Sequence, residues 1–375
     1  MDKTPQASVA PVEHEVSSRR LYPRRPTETR VCELCISCRV TYNYISPERR
    51  STRRRNTANV KDDSNTRERL IKSGLNFILE FGKHIQFESD LERRKEVMTE
   101  VLHCIFFLGH IYKNPVPPEF FFPTKELLQQ YKELFPRAFQ QYASHLPTRT
   151  PFSILLDLVL RRNGSTNSEA ILKSLAKIKK ALQDDDQADN NYTLRATVIT
   201  ECYSGQGQER FYGASLSCSG GVETKIMIAL SCIQTWNEAV AHAVWNVEKK
   251  GYIKFPRDVF CTAYKIDPES DSYVMIAPCS KCYTIFTGVT FEPPFSSERG
   301  SERFPFGNCA ETESLSHLLD AEENVRNETR AYLDGKEVTV DRASIIKDAK
   351  LKAKGLLGPR HFKITGDIFK FFQSQ

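Results

Sequence analysis

Three cysteines and one glutamate lie where their chemistry can converge. Pro278-Cys279-Ser280-Lys281-Cys282 follows the apolar run Tyr273-Val274-Met275-Ile276-Ala277, and Cys309-Ala310-Glu311 opens an amphipathic stretch. Three thiolates suit a catalytic zinc site, in which three protein ligands hold the ion and a fourth position stays open. Glu311, two residues beyond Cys309, can take a proton from water and pass it to a leaving amine. Plainer roles fit the same residues. The P-C-x-x-C spacing suits a redox dithiol or two buried thiols, and a C-A-E triplet is ordinary on a buried helix face.

The elements that must position these groups are a strand ending at Pro278 and a helix beginning at Cys309. A helix N-terminus favours thiolates through its free N–H groups and positive dipole end. Around them, residues 193–345 read as a mixed sheet with helices. Residues 194–203 alternate like a strand, Gly205-Gln206-Gly207 turns, and 209–218 can return as a hairpin partner. Residues 223–250 carry Ile226, Leu230, Ile233, Val240 and Val244 as one long helix stopped by Gly251. Strands follow at 259–266 and 273–277, joined by a turn at 267–270. A hairpin is expected at Leu333-Asp334-Gly335-Lys336, and a helical tail from Ile345. The polar, Pro- and Gly-rich stretch between Gly288 and Phe306 reads as a flexible loop, long enough to serve as a lid or specificity loop.

Ahead of that region the apolar period is helical. Leu70, Phe77, Ile78 and Phe81 mark one helix, and Val97, Val101, Leu102, Ile105 and Leu108 a second. Thr124 and Ser168 resemble N-caps, and Pro151 suits a first helical turn because its missing N–H would be unpaired there anyway. The expected architecture is α+β or α/β. It comprises a disordered basic tail (1–65), an all-α domain (66–183), an acidic linker (184–192), the mixed-sheet domain (193–345) and a C-terminal helical tail (346–375). His103, Cys104, His110 and His317 are assigned to packing or surface.

The formal net charge of +6 resides in residues 1–69, which hold 15 Lys/Arg against 9 Asp/Glu; the rest of the chain is balanced. Arg49, Arg50, Arg53, Arg54 and Arg55 form the densest basic cluster, preceded by Arg19-Arg20 and Arg24-Arg25. Such clusters suit a nucleic-acid-binding or nuclear-targeting arm, or a solvated flexible tail. Cys32, Cys35 and Cys38 lie in the same segment without a nearby fourth Cys or His, so they read as spare thiols. Phe255, Phe260, Phe286 and Phe291 could stack bases, although core packing also accounts for them. No apolar run is long enough to span a membrane, and the N-terminus lacks a signal-peptide core. A nuclear or cytoplasmic setting with reduced thiols follows. Metalloprotease, serine-hydrolase, kinase and phosphate-loop motifs are absent.

Pro278-Cys279-x-x-Cys282 and Cys309-Ala310-Glu311 together resemble the two halves of the zinc-dependent cytidine-deaminase-like superfamily, P-C-x-x-C and H/C-A-E. The halves stand here in reversed order. The resemblance implies zinc on Cys279, Cys282 and Cys309, proton shuttling by Glu311, a mixed sheet flanked by helices, and hydrolytic deamination of a nucleobase or nucleotide. It covers only these motifs and does not reach the helical region or the basic tail. The alternative expectation is a non-enzymatic interaction protein, with a structural zinc or no metal, whose helical region binds a protein partner.

Overall fold

The computed structural model describes residues 58–182 and 194–373, apart from 206–208, 219, 268–269, 271, 298–303, 363, 365 and 367. Cys32, Cys35, Cys38, the Arg49–Arg55 cluster and the acidic run 184–191 therefore lie outside the described residues. The fold is α+β, a helical region followed by two mixed sheets with their own helices.

The helical region comprises α1 (Ala58–Ile85), α2 (Leu91–Ile111), α3 (Lys125–Leu134), α4 (Pro136–Gln141), α5 (Pro151–Asn163) and α6 (Ser168–Ala181). α1 begins eight residues before the start expected at Thr66. Side-chain caps set the other starts. Asp90 accepts from the Glu92 and Arg93 amides, Thr124 from Leu127 and Thr150 from Ser153. α6 is capped by Asn167, whose Oδ1 accepts from the Ala170 amide at 3.1 Å, so Ser168 is its first helical residue rather than its cap. α2 is buried along most of its length, which makes it the axis of this region.

The first sheet runs β2 (Phe211–Ala214), β1 (Val198–Ser204), β4 (Val259–Ile266), β5 (Tyr273–Ile276). β7 (Thr290–Glu292) pairs parallel with β4 through Cys261↔Phe291, and β5 pairs antiparallel with it from Ala263 to Ile266. The expected loop between Gly288 and Phe306 thus contains a strand. α10 (Ala310–Ala321) lies directly on β2. A Cβ at Gly213 would collide with the Ala310 carbonyl oxygen and the Ser314 nitrogen, so glycine lets the two backbones touch. At the same strand the Tyr212 hydroxyl meets Ser168 Oγ at 2.9 Å and donates to Glu201 Oε2 at 3.2 Å, joining α6 to the sheet.

The second sheet runs β6 (Phe286–Thr287), β3 (Tyr252–Lys254), β8 (Arg330–Leu333), β9 (Lys336–Val338). Asp334 and Gly335, at φ 48° and 77°, make the tight turn between β8 and β9. The single helix expected over 223–250 is instead broken. α7 (Gly221–Leu230) passes into a π-helical turn, in which Trp236 N–H bonds Ser231 O at 2.8 Å. The chain then extends at Trp236, and Asn237 caps a new helix, α8 (Glu238–Trp245). An Asn that can close a helix start outcompetes continuous apolar spacing here.

α9 (Ser280–Ile285) and α11 (Glu323–Glu328) are short. α12 (Arg342–Leu357), capped by Asp341, packs on α7 and α8. Beyond it the chain returns to the helical region. Leu146 and Phe372 exchange backbone bonds through Lys370 O and Leu146 O at 2.8 Å, and the Phe372 ring stacks on His103 at 4.0 Å. No described helix is long and apolar enough to cross a membrane.

Candidate metal centre

Two chain turns meet at the sulfur cluster. After β5 the chain reaches Cys279, which holds extended backbone angles and caps α9; its sulfur accepts from the Cys282 amide at 3.3 Å. The C-x-x-C spacing therefore puts Cys282 one turn on, with its sulfur beside that of Cys279. Cys309 stands at the equivalent position before α10, also extended. The approach to it is fixed by Gly307, at φ 85°, whose missing Cβ leaves room for the Trp236 and Val244 side chains. The Asn308 carbonyl accepts from Leu216 N–H at 3.0 Å.

The sulfurs of Cys279 and Cys309 are 3.4 Å apart, and those of Cys279, Cys282 and Cys309 all lie within 4.8 Å of one another. Zn–S bonds near 2.3 Å put tetrahedral sulfurs about 3.8 Å apart. The three thiols can therefore hold one metal ion. Cys279 and Cys282 are buried, while Cys309 is half-buried. Among the described residues no fourth Cys, His or carboxylate joins the group.

Glu311 sits in the first turn of α10 and is 3% exposed. Hydrogen bonding to Cys279 and Cys309 is the largest influence holding the Cys282 thiol well above its ordinary value; burial, the Cys309 charge and the Glu311 carboxylate follow. Cys309 is pushed up by its bond to Cys279, then by burial and Glu311. Cys261, on the sheet below, is raised by burial, with Cys202, Glu311 and Glu201 adding to it. The same buried carboxylate thus disfavours the thiolate at Cys282, Cys309 and Cys261. A cation bound among these groups would reverse the balance and favour thiolates.

The floor under α10 is polar as well as apolar. Thr200 Oγ1 donates to Ser314 Oγ at 2.8 Å, and Cys202 pairs in register with Cys261. Glu313 points the other way. Its Oε2 accepts from Ala214 N–H at 2.7 Å and from Ser153 Oγ at 3.1 Å. Burial raises its carboxyl, opposed by His317 and the Ala214 amide. Sequence reading missed Glu313, Cys202, Cys261 and Ser314. The signal for the two cysteines was their inward phase on alternating strands.

The other sequence candidates lie elsewhere. His103 is fully buried against Phe372, with Nε2 3.1 Å from His145 O. His317 Nδ1 donates to Tyr212 O at 3.0 Å. Phe255, Phe286 and Phe291 are buried, and Phe260 stacks on Tyr203 at 5.2 Å. Comparison of the chain with protein-family models, with curated proteins and with solved structures finds no match.

Proposed function

We propose that the chain is a zinc-dependent hydrolase of the deaminase type, acting on the exocyclic amine of a nucleobase or nucleotide. One observation carries this reading. Cys309-Ala310-Glu311 and Pro278-Cys279-x-x-Cys282 bring three sulfurs within 4.8 Å of one another beside a buried carboxylate, although their order in the chain is reversed. A folded contact between the two motifs is what a shared site requires and what chance matches would not need.

In this reading Cys279, Cys282 and Cys309 would hold the ion, which supplies Lewis acidity at the fourth position. Glu311 receives a proton from the attacking water and delivers one to the departing amine, so that water and an amidine carbon give a carbonyl and ammonia. Burial of Glu311 keeps bulk water away from that exchange.

The test is zinc content and amine release by the purified full-length chain, beside Cys309→Ser and Glu311→Gln. About one zinc per chain, lost in Cys309→Ser, with zinc kept and ammonia release lost in Glu311→Gln, is expected. Zinc retained and deamination undiminished in Glu311→Gln would remove the assigned role of Glu311. A wild-type chain without zinc would remove the metal reading.

A further inference from the structure

We propose that the aromatic rim built around α9 is a stacking platform for single-stranded nucleic acid. The inference rests on the nucleobase reading above and names the form in which the base arrives, as part of a strand.

α9 separates two kinds of side chain within one turn. Cys282 faces the thiol cluster at 3% exposure, and the next residue, Tyr283, is 50% exposed. The Tyr283 ring stacks on Phe295 at 4.4 Å and 11°, and its inner side meets Phe291 at 6.5 Å. Phe291 is the register partner of Cys261 on β4, the strand next to β1 under α10. A run of rings, Phe291, Tyr283 and Phe295, therefore leads from the first sheet to the surface beside the C-x-x-C helix. On the first turn of α9, Lys281 donates to the Phe304 carbonyl, and its Nζ lies 5.5 Å from the Phe306 ring centroid. Phe304 itself is 58% exposed.

Two features choose the ligand class. The exposed Tyr283 ring, backed near-parallel by the half-buried Phe295, and the exposed Phe304 ring offer flat faces to another planar π-system, and every base has one. A lysine at the same rim favours an anionic strand over an uncharged apolar partner. Bases flanking the reacting one can then be gripped without being read, so affinity is expected to tolerate sequence and to depend on single-strandedness.

The experiment uses the full-length chain, because the Arg49–Arg55 cluster would bind any polyanion and must be screened rather than removed. Binding of a fluorescent oligothymidine of about a dozen nucleotides is followed by anisotropy at low and at high salt, with zinc content measured on each preparation. High salt suppresses the arginine contribution and leaves stacking. Tyr283→Ala and Phe304→Ala are each expected to weaken high-salt binding about tenfold, with Tyr283→Phe close to wild type and zinc content unchanged. Equal binding by wild type and both alanine variants, or equal binding of a duplex of the same length, overturns the platform. Should Tyr283→Ala fail to fold, Phe304→Ala carries the test, since its ring is mostly in solvent. Loss of strand binding in the alanine variants of a zinc-free wild type would keep the platform and sink the metal reading. Unchanged binding in a zinc-loaded protein does the reverse.

Discussion

Cys279 and Cys309, thirty residues apart in the chain, hold their sulfur atoms 3.4 Å from each other. Each occupies the last extended position before a helix, one before α9 and one before α10. The contact ties an edge of the first sheet to the helix that covers it, so a ligand bound there braces two elements at once.

That arrangement predicts a pattern of thiol labelling. Cys309 is half-buried, whereas Cys104, Cys202, Cys232 and Cys261 are at most 1% exposed, and burial raises each of these four thiols. Iodoacetamide applied to the folded, chelator-treated protein is expected to modify Cys309 ahead of those four, as read by peptide mass mapping. Added zinc is expected to suppress the Cys309 signal. Labelling of Cys309 at the same rate with and without zinc would mean that the cluster does not hold the metal.

Two glycines predict opposite outcomes for the same substitution. A Cβ at Gly213 collides with backbone atoms of Ala310 and Ser314. Gly213→Ala is therefore expected to cost about 2 kcal/mol or more and to shift the first turn of α10, weakening metal retention as well. At Gly82, inside α1, nothing lies within 4 Å of the added Cβ. Gly82→Ala is expected to stabilise by about 0.5–1 kcal/mol by restricting the unfolded chain. Denaturant midpoints of the two variants check both signs, and a neutral Gly213→Ala would show that α10 does not ride on the β2 backbone.

Most helices of the N-terminal region, strands β1, β2, β4 and β5 and the β8–β9 turn were legible because each has a local cause, whereas β7 lay hidden in a Pro- and Gly-rich stretch that reads as loop. Thr124 caps, Pro151 starts a helix, and Asp334-Gly335 turns. The break at Trp236–Asn237 was not legible, since Ile226, Ile233, Val240 and Val244 keep helical spacing straight through it. Choosing between one helix and two takes the tertiary contacts of Asn237, whose amide donates to Ser316 Oγ at 2.7 Å and whose side chain donates to Asp320. At the site, residue types singled out Cys279, Cys282, Cys309 and Glu311, but their proximity depends on Gly213 and Gly307, which carry no chemistry and look like ordinary turn or strand residues. Cys202 and Cys261 needed the β1–β4 register before either could be placed under α10.

Within the helical region, Arg149, in the loop before α5, ties α2 to α5. Its guanidinium binds both oxygens of Glu100, at 2.8 and 3.1 Å, and also Asp157. Glu100 is 8% exposed. Removing the cation leaves that carboxylate buried and unpaired, so Arg149→Ala is expected to destabilise by about 3 kcal/mol. Replacing both partners, in Arg149→Met with Glu100→Gln, is expected to recover much of the loss. A double variant as unstable as Arg149→Ala alone would shift the explanation from charge to packing.

The contact between His103 and the returning C-terminal segment predicts an acid sensitivity with a definite sign. His103 is fully buried against Phe372, and burial holds its pKa down to about 3, against the backbone bonds that raise it. The unfolded chain takes up a proton near pH 6.5, the folded chain only near 3. Between those values the unfolded state binds more protons, so stability is full above about pH 6.5 and falls by up to about 1.4 kcal/mol for each unit below it. Glu313 works in the opposite direction, because burial raises its carboxyl in the folded state and lets that state bind protons first. Comparing the wild type with His103→Phe isolates the histidine, since phenylalanine can stack on Phe372 but cannot titrate. The melting temperature of His103→Phe is expected to decline less steeply than that of the wild type between pH 6.5 and 4. Parallel declines would show that the segment around Phe372 opens before His103 is charged, and that acid loosens this contact through other groups.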